Sequence, residues 1–99
     1  MQYTFEWDAE KARQNIGKHG VTFEEAASAF SDPLSYTIAD PDHSESEQRF
    51  ILMGLSERRR VLLVAFTERE DRIRIPTARL ASRREKRSYE EGQAQARRR

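Results

Sequence analysis

Val61-Leu62-Leu63-Val64-Ala65-Phe66 is the longest uninterrupted apolar run in the chain. It is far too short to cross a bilayer, and within Arg60 to Thr67 it reads as the central strand of a sheet. The rest of the fold has to be arranged around that strand. Of the 99 residues, 35% are charged, and the mean hydropathy is -0.93. So little apolar material makes one modest core, built from a few well-patterned elements in one domain.

The neighbouring segments supply those elements. Arg49 to Leu55 is apolar after its opening arginine, and Ser56 to Arg59 is a polar turn leading into the central run. Glu68 to Glu70 turns the chain again into Asp71 to Thr77, where Arg72 and Arg74 alternate with Ile73 and Ile75. Short connections between successive strands predict an antiparallel meander whose last member is half buried, with a cationic outer face. Leu34, Tyr36 and Ile38 alternate in an earlier strand, and Tyr3, Phe5 and Trp7 do so within Gln2 to Trp7.

Three helices carry local start signals. Asp8 is an N-cap for Ala9 to Lys18, which Gly20 ends with a left-handed cap. Thr22-Phe23-Glu24-Glu25 is a capping box whose helix buries Phe23, Ala26, Ala27 and Phe30, with Val21 and Ala26 as the staple pair. Ser82-Arg83-Arg84-Glu85 is a second box, opening a helix that reaches Glu90 and Glu91. The expectation is an α+β fold, a small antiparallel sheet of about five strands in the order β-α-α-β-β-β-β-α, with the helices on one face. Residues 1–91 form the domain, and Gly92 to Arg99 reads as a disordered basic tail.

Charge divides the sequence. Residues 1–48 hold 3 Lys/Arg against 10 Asp/Glu, whereas residues 49–99 hold 15 against 7. If the fold keeps those halves on different surfaces, the basic one can attract nucleic acid even at a net charge of +1. With no cysteine there is no disulfide framework, thiolate zinc site or cysteine nucleophile. The acidic start is unlike a signal peptide, and a cytosolic protein is expected. His19, at a helix end, reads first as a capping cation and second as a general acid or base. The loop Asp40-Pro41-Asp42-His43-Ser44-Glu45 invites a metal reading, but its spacing matches no fixed ligand pattern and a solvated loop is favoured. Arg83 and Arg84 in the first turn of the third helix oppose its dipole, a conflict that a bound anion would remove.

Several blocks together resemble the signature of the BrnT toxin family. They are Phe5-Glu6-Trp7-Asp8, Lys18-His19-Gly20-Val21, Phe23-Glu24-Glu25-Ala26, Asp32-Pro33-Leu34, Asp40 to Glu45, Glu47-Gln48-Arg49-Phe50, Arg72-Ile73-Arg74-Ile75, and Ala78-Arg79 with Arg83 to Glu90. The resemblance implies a RelE-like fold, ribonuclease activity that arrests translation, and a ribbon-helix-helix antitoxin through which the complex binds operator DNA. The chain departs from the family pattern at Pro76, which removes a ladder donor and suggests an edge or strand-end position, and at Leu80, which replaces a cation.

RNA cleavage by the substrate's own 2′-hydroxyl needs a base, cations for the transition state and an acid. Arg49, Arg74 and Arg79 are the candidate phosphate clamp, with Glu47 or His43 for proton transfer and no metal or cofactor. Arg60, Arg72, Arg83, Arg84, Lys86 and Arg87 are candidates to hold the RNA backbone, and Tyr89 either stacks on a base or packs against the sheet. The alternative is a non-catalytic nucleic-acid-binding or partner-docking module.

Overall fold

The computed structural model describes residues 3–40, 42 and 47–97, with the backbone alone for 93–97. The order is β1 (Thr4–Glu6), α1 (Ala9–His19), α2 (Phe23–Ser28), a 3-10 turn (Ala29–Ser31), β2 (Tyr36–Ala39), β3 (Arg49–Leu55), β4 (Val61–Arg69), β5 (Arg72–Leu80) and α3 (Arg83–Arg97). The five strands lie in the order β1-β5-β4-β3-β2, which puts the apolar run of β4 in the middle. Strands β2 to β5 form the antiparallel meander. β1 pairs parallel with β5, Thr4 opposite Arg72 and Glu6 opposite Arg74, so the sheet is mixed rather than antiparallel. A parallel pair needs a long connection, and the whole stretch from α1 to β4 supplies it.

Alternation along the strands builds two unequal clusters. Leu52, Leu62, Val64, Phe66, Ile73 and Ile75 face Val21 just before α2, Phe23 and Ala26 within it, and Ala29 of the 3-10 turn. Phe30 stands edge-on between Phe5 and Phe66, with ring centroids 5.1 and 5.0 Å away. A Cβ at Gly54 would lie 2.8 Å from the Ala29 carbonyl oxygen, so the 3-10 turn can sit this closely on β3 only over glycine.

Met53 and Val61 point the other way and are covered by Tyr89 of α3, with Leu55 and Leu63 beside them. The helices therefore occupy both faces, not one, because α1 and α2 leave this second apolar strip uncovered. Tyr89 is 3% exposed and its hydroxyl donates to the Asp32 carboxylate, which also accepts the N–H groups of Leu34 (2.9 Å) and Leu55 (2.8 Å). Burial would raise the Asp32 pKa, but these donors outweigh it and hold the carboxyl below its usual range.

Local signals set the helix starts. Asp8 accepts from the Lys11 N–H at 3.0 Å, and Gly20 takes the left-handed conformation with φ 67°. The Ser82–Glu85 box is reciprocal, at 3.2 and 2.8 Å. The Thr22 box is only half made. Thr22 accepts from the Glu25 N–H, but the Glu25 carboxylate, 1% exposed, accepts from Arg60 Nε at 2.9 Å and the Ser56 hydroxyl at 2.7 Å. At the far end, α3 continues to Arg97 through the segment expected to be a disordered tail. Gly92 costs a helix about 1 kcal/mol relative to alanine without breaking it, and Gln-Ala-Gln-Ala-Arg after it favours helix.

β1 accompanies β5 only as far as Arg74, which leaves the peptide groups beyond it without a strand on that side. Asn15 of α1, 4% exposed, replaces the missing strand. Its Nδ2 donates to the carbonyls of Ala78 (2.8 Å) and Val21 (2.9 Å), while Oδ1 accepts from the Ala78 N–H and the Thr77 hydroxyl, each at 3.1 Å. Both donors and both acceptor positions of the amide are used. Asn15→Ala should therefore destabilise the protein by about 1–3 kcal/mol, the cost of stranding buried backbone groups. Asn15→Asp should be worse, since it removes both donations and buries a charge. Thermal melts of the two variants check this: a melting temperature unchanged in either would show that water replaces the amide.

Candidate nucleic-acid interface

The face of β5 away from α1 and α2 is set by alternation and one irregularity. Arg74 lies opposite Thr67, and Thr77 opposite Ala65, so β5 spends one residue more than β4 over this interval. That bulge at Ile75-Pro76 brings Arg74, Thr77 and Arg79 to the same face, which strict alternation would forbid. It is also the place where a proline fits. Its lost N–H falls in the irregular stretch beyond the end of β1, in keeping with an edge-like position.

On this face Arg49, Thr77 and Arg79 line a cleft of about 190 Å³ with Asp40, over a floor of Ile51, Leu63 and Ala65. Asp40 and Arg49 are fixed at its rim by the Asp40 N–H, which donates to the Arg49 carbonyl at 2.8 Å. Their side chains form an ion pair, Arg49 Nε to Asp40 Oδ2 3.5 Å, with Asp40 buried. Arg79 is held differently. Its Nη1 and Nη2 each donate to Glu85 at 2.9 Å, and Nη1 also to the Leu80 carbonyl at 3.2 Å. This fork brings the Glu85 carboxyl down to about 2, the Arg79 bonds outweighing burial and the Ser82 contacts adding to them. The end of the guanidinium is thus occupied, while the side-on fork of Nε–H and Nη2–H remains to a ligand.

The same face continues beyond the cleft. Glu47 accepts from Arg69 Nη2 at 2.8 Å, and this bond, with one from Thr67, holds its carboxyl below the usual range, Arg74 adding at longer distance. Arg72 and Arg74 flank Glu6 at 3.9 and 3.6 Å. Among the described residues no three His, Cys, Asp or Glu side chains lie close enough together to hold a metal ion.

The structure thus brings Arg49 and Arg79 together and sets Arg74 and Glu47 along the same face. His43 lies outside the described residues. Arg60 is elsewhere, bonded to Glu25 and, through Nη2, to the Gly20 carbonyl at 3.1 Å. Arg83, Arg84, Lys86 and Arg87 are exposed along the first turns of α3. Tyr89, proposed for base stacking or packing, packs: its ring is buried on Met53 and Val61 and is not presented to a base. Sequence reasoning missed Asp40 as a partner of Arg49, Glu85 as the holder of Arg79, and Asn15 behind Thr77. The Ser82 box had identified Glu85, but as a cap alone.

Residues 7–85 match the family model described as the ribonuclease toxin BrnT of type II toxin-antitoxin systems. The crystal structure of the Brucella abortus ribonuclease toxin BrnT is similar, with a TM-score of 0.61 and 21% sequence identity, covering 83% of this chain and 100% of that one. That likeness is one of fold. No curated protein matches the chain.

The Arg79–Glu85 fork has a pH signature. The folded pKa of Glu85, about 2, lies below its ordinary 4.5, so its contribution is complete above pH 4.5 and is lost as pH falls towards 2. Because the Arg79 side chain is 45% exposed, solvent screening reduces that contribution to about 1 kcal/mol. Glu85→Gln should lower the melting temperature at pH 6 by about 4–8 °C and narrow its gap to the parent at pH 2.5. An equal gap at both values would show that the charge on Glu85 contributes nothing to folding.

Proposed function

The chain belongs to the BrnT family of ribonuclease toxins of type II toxin-antitoxin systems, and on that premise we propose that its arginine-lined face cleaves RNA without a metal. We read the fold as RelE-like, the site of action as the cytosol, the consequence as arrested translation, and the neutralising partner as a ribbon-helix-helix antitoxin. The observation that carries the reading is the convergence of Arg49 and Arg79 with Asp40 in one cleft, with Arg74 and Glu47 on the same face.

The chemistry assigned to that face is transfer of the phosphate to the neighbouring 2′-hydroxyl. The hydroxyl loses its proton to a carboxylate, its oxygen attacks phosphorus, and the 5′-oxygen leaves with a proton from an acid. Glu47 is assigned the first role by its place on this face: it is ionised at neutral pH as carboxylates are, and the Arg69 bond that holds it lowers its basicity. Asp40, beside Arg49, is a second acceptor within the cleft. His43 is assigned the proton donated to the leaving oxygen. The charge that builds on the phosphoryl oxygens is met by Arg49 and by the side-on fork of Arg79, which Glu85 holds in place before substrate arrives. The products are a 2′,3′-cyclic phosphate and a 5′-hydroxyl. The cations on α3 and Arg72 extend the contact along the RNA backbone.

Inducible expression in bacteria, with and without the adjacent reading frame, tests the toxin reading. The chain alone should slow growth and degrade RNA, and the neighbouring product should relieve both. Normal growth with abundant soluble protein would remove it.

Purified variants test the clamp, with EDTA present throughout. Arg79→Ala should lose about 2.7–4 kcal/mol of transition-state stabilisation, roughly 10²- to 10³-fold in rate. Arg79→Lys should not rescue, because it keeps the charge and loses the planar fork. Lys86→Ala, on the exposed face of α3, should act mildly. Equal losses for Arg79→Ala and Lys86→Ala at matched stability would show a diffuse field instead of a clamp.

A further inference from the structure

On the opposite side of Thr77 lies a second cleft, of about 200 Å³, between α1 and the bulged part of β5. Lys11, Gln14, Lys18 and His19 line it from the helix, and Pro76 and Thr77 from the strand. Lys11 and Lys18 are two turns apart, so both side chains fall on one face of α1. No Asp or Glu lines the cleft. The ion pair of Arg13 with Glu10 on the exposed side of α1 does not line it either. Two lysines and a histidine therefore share a concavity with no opposite charge in its walls, an arrangement that an anion would stabilise.

Thr77 lines this cleft and the arginine cleft alike. The segment Pro76-Thr77 is thus a narrow ridge with a cationic hollow on either side. It is kept rigid by the proline ring and by the bonds that the Thr77 hydroxyl and the Ala78 N–H donate to Asn15 Oδ1. A strand of phosphates, unlike a single anion, can occupy both hollows at once. The lining also argues against a protein partner, since no large apolar side chain contributes to it and the core of a protein interface needs one.

We propose that Lys11, Lys18 and His19 form a second phosphate-binding subsite that holds the RNA backbone on the far side of the Thr77 ridge from the scissile phosphate. The proposal rests on the RNA-cleaving reading of the first cleft. The substrate then crosses the edge of β5 rather than lying along the open sheet face alone. The subsite positions RNA and takes no part in bond breaking.

The test is the salt dependence of binding to a single-stranded oligoribonucleotide bearing 2′-O-methyl groups, which block cleavage. Lys11→Ala and Lys18→Ala should each weaken binding and reduce the log-log salt slope by about 0.7, the value for one contact to a single strand. Arg13→Ala, on the same helix outside the cleft, should leave the slope unchanged. Both lysines are exposed, so melting temperatures should stay with the parent. A slope unchanged in the lysine variants, or lowered equally by Arg13→Ala, would overturn the subsite while leaving the parent's cleavage intact. Unchanged RNA binding with weakened capture of the product of the adjacent reading frame would make the cleft a protein-docking surface and overturn it too. If the parent itself neither binds nor cleaves RNA, the reading of the first cleft fails and the subsite falls with it.

Discussion

A strand that loses its neighbour halfway along must still bond its peptide groups, and β5 meets this at Ala78 with one side-chain amide. Asn15 copies the donor and acceptor spacing of a strand, so α1 is docked on the sheet edge by directional bonds as well as by apolar contact. The consequence reaches the opposite face. Thr77 and Arg79 flank the residue that is tied down, and the bulge at Ile75-Pro76 needs a fixed point beyond it to define which way the strand resumes. The direction in which the Arg79 side chain leaves the sheet is therefore decided by an asparagine on the far side of it.

The same economy runs through the rest of the fold. A chain with this little apolar material cannot exclude charge from its interior, so it buries or half-buries carboxylates that collect several donors. Glu25 gathers Arg60 and Ser56, which ties α2 to the turn between β3 and β4. Asp32 gathers Leu34, Leu55 and Tyr89, which ties the 3-10 turn, β3 and α3 together. Each acts as a knot between elements far apart in sequence. Their lowered pKa values follow from those donors, the Arg60 bonds leading for Glu25, and in Asp32 from the hydroxyl and amides overcoming burial. Such sites stabilise above the ordinary carboxylate range of pH and weaken as acid protonates them.

Features that depend on near neighbours were legible in the sequence. Asp8, Gly20, Thr22 and Ser82 announce helix ends because a cap is a contact over three or four residues, and the run from Val61 announces the central strand by composition alone. Features that depend on distant partners were not. Asn15 reads as one more polar residue on a polar helix, and its strand partner is 63 residues away. Glu25 satisfies a capping pattern locally but is drawn off by Arg60, 35 residues on. Alternation marks β1 as a strand without saying that it runs parallel to β5. The cationic face of β5 was visible, but the alternation that revealed Arg72 and Arg74 does not extend through Pro76, where the bulge resets the phase. Nor does charge pattern alone say that Glu85 would fasten Arg79 or that Arg60 would turn inward.

The sheet ends at β2, a strand whose four residues are all exposed and whose outer edge meets no strand among the described residues. Tyr36 and Ile38, both substantially exposed, stand on it beside that open row of peptide groups. A short edge with β-branched and aromatic side chains and no charge between Tyr36 and Ala39 is a template on which another extended chain can add. The brevity of that edge and the exposed Asp42 beyond it work against extended pairing of that kind.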